Sequence, residues 1–455
     1  MRIRLLLLPV LLLVPAGAFV QSEEAKKPVP AATLYMDASG RLISQLVSQP
    51  VDDQEPYADV IEGTPVYGRR RTLGSVRAEL VPDAHSGAVD IVVDGTAYSN
   101  EVGVRRLTRV FTTTTTTFEA RQRLTFDAKA ITSRRERPFA HACITLLGVI
   151  DLFGDSDTAP AILTRLGFRA DRQHLETIVA GKAMAEASAK LESRINPLLE
   201  KASKEIGRGI AFVKDLGVEL PPPGFVTTNR WLGFRLAVGA SDASALPALP
   251  ENADLAARLH ENAVNAAAQT ALGGNTFRFS EVLRTVNQLT EPLLRDPRDE
   301  AERLKGVKGI ETLLKMVKGA APELTLAMDD PVTLRFTDAG FRVEAHLASV
   351  KGAGKVVPNL RIRAAYRIEN SPAGVRGVRT GPVSLLIDKK AEPAPEPVRD
   401  VLMAIANEVF LERVALADIA FPRELGVTAP LSALRAETTE RWILLSWRLG
   451  PKKKS

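Results

Sequence analysis

The side chains able to do catalysis or bind metal are few, and their spacing does not assemble a known site. The histidines are His85, His141, His174, His260 and His346. No two sit at helix or strand spacing that would let them share a zinc ion. His260-Glu261 lacks the second histidine four residues on that a metalloprotease helix needs. Asp151, Asp155 and Asp157 surround Gly154. Such hard oxygen donors suit calcium, but the spacing departs from the EF-hand loop. Ser156, Asp157 and Thr158 also read as ordinary caps ahead of Pro160 and a helix. Cys143 is the sole cysteine, so no disulfide forms within the chain. It lies in an apolar run with only His141 near it, which predicts a buried structural thiol rather than a nucleophile. There is no G-x-S-x-G elbow. Lys351 to Lys355 has the composition of a phosphate loop but not its frame. The expectation is no catalytic residue, no metal and no cofactor. A hydrolase would have to assemble a dispersed site through its fold.

The elements that would position any site begin after a leader. Arg2 and Arg4 precede the apolar run Leu5 to Val14, and Ala16-Gly17-Ala18 follows. That is a secretory signal peptide over 1–18, which predicts a secreted or periplasmic protein cleaved near Ala18. The chain has 455 residues, 45% hydrophobic and 25% charged, so it folds, and into more than one domain. The net charge is +6, of which Arg2 and Arg4 leave with the leader. The positive clusters are Arg69 to Arg71, Arg105-Arg106, Arg134-Arg135 and the tail at 451–455. They suit a solvated surface or an anionic membrane surface. Nucleic acid is excluded as a partner, because export removes the opportunity and no aromatic residues interleave with the charges.

Residues 19–65 are acidic and proline-containing, which predicts an arm or linker with a short helix around Leu42 to Val47. A first half, 66–245, opens with period-two alternation at Val76 to Leu80 and Val89 to Asp94. Asp94-Gly95 reads as a turn. Thr112 to Thr117 reads as a long strand with one wet face, since threonine is β-branched and half-polar. The period then becomes helical over Asp171 to Leu216, with Leu191, Ile195, Leu198 and Ile206 on one stripe. Pro197 is expected to kink or divide that helix. The second half, 246–455, starts with a strand and helix that stop at Gly273-Gly274. Helices near Ser280 to Leu294 and Asp299 to Val317 form an insertion. Strands follow at Val332 to Phe336, Phe341 to Ala345, Leu360 to Ile368 and Val383 to Ile387. Val398 to Ile419 reads as a helix with Val401, Ile405, Val409 and Val414 on one face. Trp442 to Leu449 reads as the last strand. Each half thus runs meander, helix, proline-bearing connector and a strand opened by Arg-Trp, at Arg230-Trp231 and Arg441-Trp442. Such self-similarity points to an internal duplication.

Leu259 to Asn265, followed by Ala271 to Gly274, resembles the tubular lipid-binding (TULIP) superfamily. In its lipopolysaccharide-binding branch a strand leads into a helix carrying an Asn in its first turn and closing in Ala-Gly. Asn265 and Gly273 stand at those places, whereas Glu261-Asn262 replaces the usual serine, and Cys143 has no partner for the family's disulfide. The resemblance implies an α+β fold of two similar halves. Each would be an antiparallel curved sheet packed on a long helix, with extra helices between the halves. It also implies a non-catalytic protein that holds a lipid or another hydrophobic ligand in an apolar groove. The groove would be lined by Leu191, Ile195, Leu198, Ile206, Val401 and Ile405. A cell-envelope structural or adhesion protein is the alternative.

Overall fold

The computed structural model describes residues 33–105, 107–127, 130–215, 223–237, 246–278, 323–352, 355–371, 374–387, 399–400, 402–403, 406–407, 410–416, 418–419 and 429–450. The leader, the inserted helices near 280–317 and the basic tail lie outside them. The fold is α+β and mostly antiparallel sheet. In chain order the elements are β1 (Thr33–Ser39), α1 (Gly40–Val47), β2 (Gln49–Ile61), β3 (Thr64–Leu80), β4 (Gly87–Arg105), β5 (Thr108–Phe126), β6 (Ile131–Arg135), β7 (Phe139–Asp151) and α2 (Ala159–Asp215). Next come β8 (Gly224–Thr227), β9 (Trp231–Ala237), β10 (Leu255–His260), α3 (Glu261–Leu272), β11 (Thr276–Arg278), β12 (Glu323–Leu326), β13 (Val332–Thr337), β14 (Gly340–Gly352) and β15 (Lys355–Ser371). The chain ends with β16 (Gly374–Arg379), β17 (Ser384–Ile387), β18 (Arg413–Ala415), β19 (Leu431–Thr439) and β20 (Trp442–Leu449). Among the described residues no helix is long and apolar enough to cross a membrane.

The chain divides into two compact units. One comprises Met1–Ser39, Glu205–Gly224 and Gly233–Ser455; the other comprises Gly40–Lys204 and Phe225–Leu232. This division does not follow the expected boundary at residue 245. The arm expected over 19–65 folds from Thr33 onward into β1, α1 and β2. Within it, α1 matches the short helix expected at Leu42 to Val47. The prolines that suggested a linker, Pro50 and Pro56, lie in β2, whose described pairing is with β3 alone. An edge strand tolerates proline because the missing N–H would have faced outward.

In the first unit, one sheet has the order β19-β20-β10-β1-β9, with β9 counted from Gly233. A second runs β11-β12-β14-β15-β16-β18, with β13 and β17 pairing β14 and β15. Between β10 and β13 lies α3. Its N-terminus is capped by His260, whose Nδ1 accepts from the Asn262 N–H at 3.2 Å. It ends at Gly273, and Gly274 takes φ 73°, a left-handed conformation that glycine adopts without steric cost. Val264, Ala268 and Leu272 share one face of α3 by four-residue spacing. They pack into a core with Leu334, Val343, Leu347, Leu360, Leu402, Ala406 and Phe410. The Asn265 amide bonds both backbone groups of Leu334, donating to its oxygen at 3.0 Å and accepting from its nitrogen at 2.7 Å. Val414 is not on the helix expected over Val398 to Ile419, because Arg413–Ala415 forms β18 beside β16.

In the second unit, the sheet order is β2-β3-β4-β5-β6, and β7 also pairs β5. β4 and β5 are each 19 residues long, about 60 Å of extended chain. The expected turn at Asp94-Gly95 lies in the middle of β4. Gly95 stands opposite Gly74 of β3. A Cβ on Gly95 would come within 2.7 Å of the Leu73 carbonyl and 2.9 Å of the Phe118 ring, so the glycine serves close packing rather than reversal. The chain reverses out of β4 only after Arg105, into β5, whereas Glu62-Gly63, both at positive φ as a tight hairpin requires, joins β2 to β3. Helix α2 spans 57 residues, roughly 85 Å, and continues through Pro197 without interruption.

Candidate functional site

Alternation along the strands of the second unit selects the face that meets α2. Thr112, Thr114 and Thr116 are buried, while Thr115 and Thr117 between and beyond them are exposed. The threonine run is therefore a strand with one wet face. The same face carries Val66 and Arg70 on β3, Ser99 and Glu101 on β4, and Ala142 and Ile144 on β7. Cys143 falls on the opposite face of β7 and is exposed, contrary to the expected burial. Its Sγ lies 3.5 Å from Arg172 Nη2.

Helix α2 is tied to both edges of this sheet. On the β2 side, Lys182 Nζ donates to Asp59 at 2.6 Å and to the Val60 carbonyl at 2.8 Å. Lys190 lies 3.5 Å from Glu55, and His174 2.9 Å from Glu62. On the other side, Glu176 accepts from the Ile144 N–H at 2.9 Å, and Glu192 pairs with Arg135 of β6. The strands and the helix thus enclose an interior. One end is apolar, with Val76, Val89, Ile91, Ala120 and Leu124 packed on Leu191 and Ile195 of α2. The other end holds Val110, Val149 and Ala161, with Phe168 against them.

Between these ends the interior is polar. Glu101 is buried and accepts from Ser99 Oγ at 2.5 Å, Thr114 Oγ1 at 3.2 Å and Thr112 Oγ1 at 3.5 Å. Among the described residues no Lys or Arg forms an ion pair with it. Arg70 bonds Glu186 of α2 at 2.7 Å and also Glu55, while its Nε has no partner among the described residues. Tyr57 donates to Asp59 at 3.0 Å. Burial, then the nearby carboxylates Asp59 and Glu101, push its phenol well above the ordinary range. For Glu186, burial opposes ionisation but Arg70 and Lys190 outweigh it, so its carboxyl sits below the usual value. The Arg70 bond likewise holds Glu55 low, and for Asp59 Lys182 overcomes the effect of burial.

These three carboxylates have folded pKa values below their unfolded ones. Their contribution to stability is present above the unfolded value and is lost as pH falls through the folded one. The unfolding midpoint is therefore expected to hold from neutral pH to about pH 5 and to fall below about pH 4. Arg70→Met should flatten that fall. A midpoint that rises on acidification would show that these contacts do not tether the helix.

Of the expected groove residues, Leu191 and Ile195 are buried together at one end of this interior. The side chains of Leu198 and Ile206, and residues Val401 and Ile405, lie outside the described residues. Sequence patterning missed the belt of Glu101, Ser99 and Arg70. The signal was present, because serine and glutamate sit at alternate positions in register with the threonines. Among the described residues no group of three or more His, Cys, Asp or Glu is placed to hold a metal ion. The carboxylate of Asp151 instead accepts from the Phe153 and Asp155 N–H groups at 2.8 and 3.0 Å, as a loop-forming cap.

No protein-family model matches the chain, and no curated protein does. A solved structure of P47 from Clostridium botulinum A2 aligns over 92% of this chain and 97% of that one, at 9% identity and a TM-score of 0.26. At that level neither fold nor function carries over.

Proposed function

We propose that this is an exported, non-catalytic protein that holds a lipid or another hydrophobic ligand between sheet and helix, as the TULIP-like stretch around Asn265 also suggests. The observation that supports this most is the tethering of α2 to both edges of its sheet, which sets the helix across one face of the strands. The wall chemistry fits an amphiphile. Apolar clusters at either end would bury acyl methylenes, at roughly 0.8 kcal/mol each. The hydroxyl belt and the unpartnered Arg70 Nε would meet a polar group. Two similar halves belong to the same proposal. Over 66–245 and 246–455, each closes on a hairpin whose last strand begins at tryptophan, β9 at Trp231 and β20 at Trp442.

Native mass spectrometry of the purified full chain should show a co-purifying lipid. Uptake of a fluorescent fatty acid should fall in Thr114→Phe and Thr116→Phe, which fill the belt face of β5, while the far-UV circular dichroism stays that of the parent. A chain that emerges free of lipid and takes up no fatty acid overturns the carrier reading. The envelope scaffold would then be the better description.

A further inference from the structure

One end of the second unit presents apolar side chains to solvent. The β4–β5 turn carries Leu107, the loop after β7 carries Leu152 and Phe153, and the first turns of α2 carry Ile162, Leu163 and Leu166. Phe153 is 96% exposed and Leu163 68%. These three segments are neighbours in space. The Leu152 N–H donates to the Leu107 carbonyl at 3.1 Å, and the Thr108 and Thr164 hydroxyls lie 3.3 Å apart. The loop is built rather than loose, since the Asp151 carboxylate holds the N–H groups of Phe153 and Asp155. A fixed turn that points a phenylalanine into water costs solvation free energy unless something covers it.

The charge around this tip says what does. Arg105, Arg109 and Arg169 are exposed and form no ion pair among the described residues. Arg165 reaches only the Ser156 carbonyl, at 3.4 Å. The acids nearby are held by neighbouring donors, which fixes their orientation and leaves their charge in place. Asp151 caps its own loop, Asp155 accepts from the Asp157 N–H, and Glu62 faces His174. Asp157 is near the Ser156 hydroxyl, and Asp171 is exposed on α2 two residues after Arg169. Greasy side chains flanked by arginines that form no ion pair among the described residues match the interface of an anionic bilayer, with rings among acyl chains and arginines at phosphate level.

We infer that this end of the second unit docks on an anionic lipid surface through Leu107, Phe153 and Leu163, with Arg105, Arg109 and Arg169 at the headgroups. The proposal is independent of whether the interior carries a ligand. The test is co-sedimentation of the full chain with vesicles of mixed phosphatidylglycerol and phosphatidylcholine, against phosphatidylcholine alone. The chain should partition onto the anionic vesicles and leave them as salt is raised. Phe153→Asp with Leu163→Asp should abolish partitioning, and Arg105→Ala or Arg109→Ala should each weaken it roughly fivefold. All of these positions are exposed, so the thermal transition should not move. Failure to bind anionic vesicles, or equal binding by Phe153→Asp with Leu163→Asp, overturns the proposal. So does a dimer in light scattering that Phe153→Asp disperses, because the patch would then belong to a second copy of the chain.

Discussion

Asp37→Ala is expected to destabilise the first unit by about 3–5 kcal/mol, the range for breaking a buried ion pair from one side. Asp37 on β1 receives Arg258 Nη2 of β10 at 2.7 Å, and both side chains are nearly closed to solvent. Arg258 also donates to the Pro247 carbonyl at 3.3 Å and stacks 5.1 Å from the Tyr35 ring centre, yet its Nε has no partner. Removing the carboxylate leaves a guanidinium with no counter-charge in a dry site. Burial outweighs Arg258 and raises the Asp37 carboxyl above its ordinary value. Its contribution is thus full below the unfolded pKa and declines as pH rises through the folded one, opposite in sign to the tethering carboxylates of the second unit. Asp37→Asn should accordingly be milder than Asp37→Ala. The double change Asp37→Leu with Arg258→Met should recover most of the loss, since an apolar pair avoids desolvating two charges. Urea unfolding of the parent, the single changes Asp37→Leu and Arg258→Met, and the double change measures the cycle. If Asp37→Ala cost less than about 0.5 kcal/mol, as surface changes do, the pair would have no structural role.

Trp442→Ala is the second large loss expected, about 3–5 kcal/mol, typical of truncating a buried aromatic side chain. Trp442 opens β20 and is 1% exposed. Its ring takes His260 edge-on at 4.9 Å and Tyr35 at 5.8 Å, so it packs on both β10 and β1. Losing it also frees the imidazole that caps α3. Calorimetry should show a lower transition for this variant, with a smaller loss for Trp442→Phe. Equal transitions for Trp442→Ala and the parent would mean the site collapses without cost.

How far the chain could be read depended on whether one property dominated each segment. The threonine run, the strand–helix unit ending at Gly273-Gly274 and the strands from Val332 to Ile387 were legible, because period and punctuation agree there. Residues 33–61 were not. Their prolines and acids suggest a linker, but Pro50 and Pro56 sit on an edge strand, and Glu55 and Asp59 exist to meet Lys190 and Lys182 of α2. Composition records the charges and is silent on their partners. Cys143 misled for a related reason: an apolar run on a strand has two faces, and Ala142 and Ile144 took the inner one. Helix α2 begins at Ala159, as the caps ahead of Pro160 indicate, but its stripe reads only from Asp171 because its first turns present apolar residues outward. The belt around Glu101 depends on cross-strand register, which period alone does not supply.

The attachments at Val60 and Ile144 bear on how this protein behaves at high concentration. A bare strand flank is a template onto which another chain can zip its backbone, and long flat flanks seed fibres. Here a lysine occupies the outward carbonyl of one flank and a glutamate the outward amide of the other. At those two points a neighbour can pair only after the side chains let go. Ribbons this long can therefore stay apart in a crowded compartment.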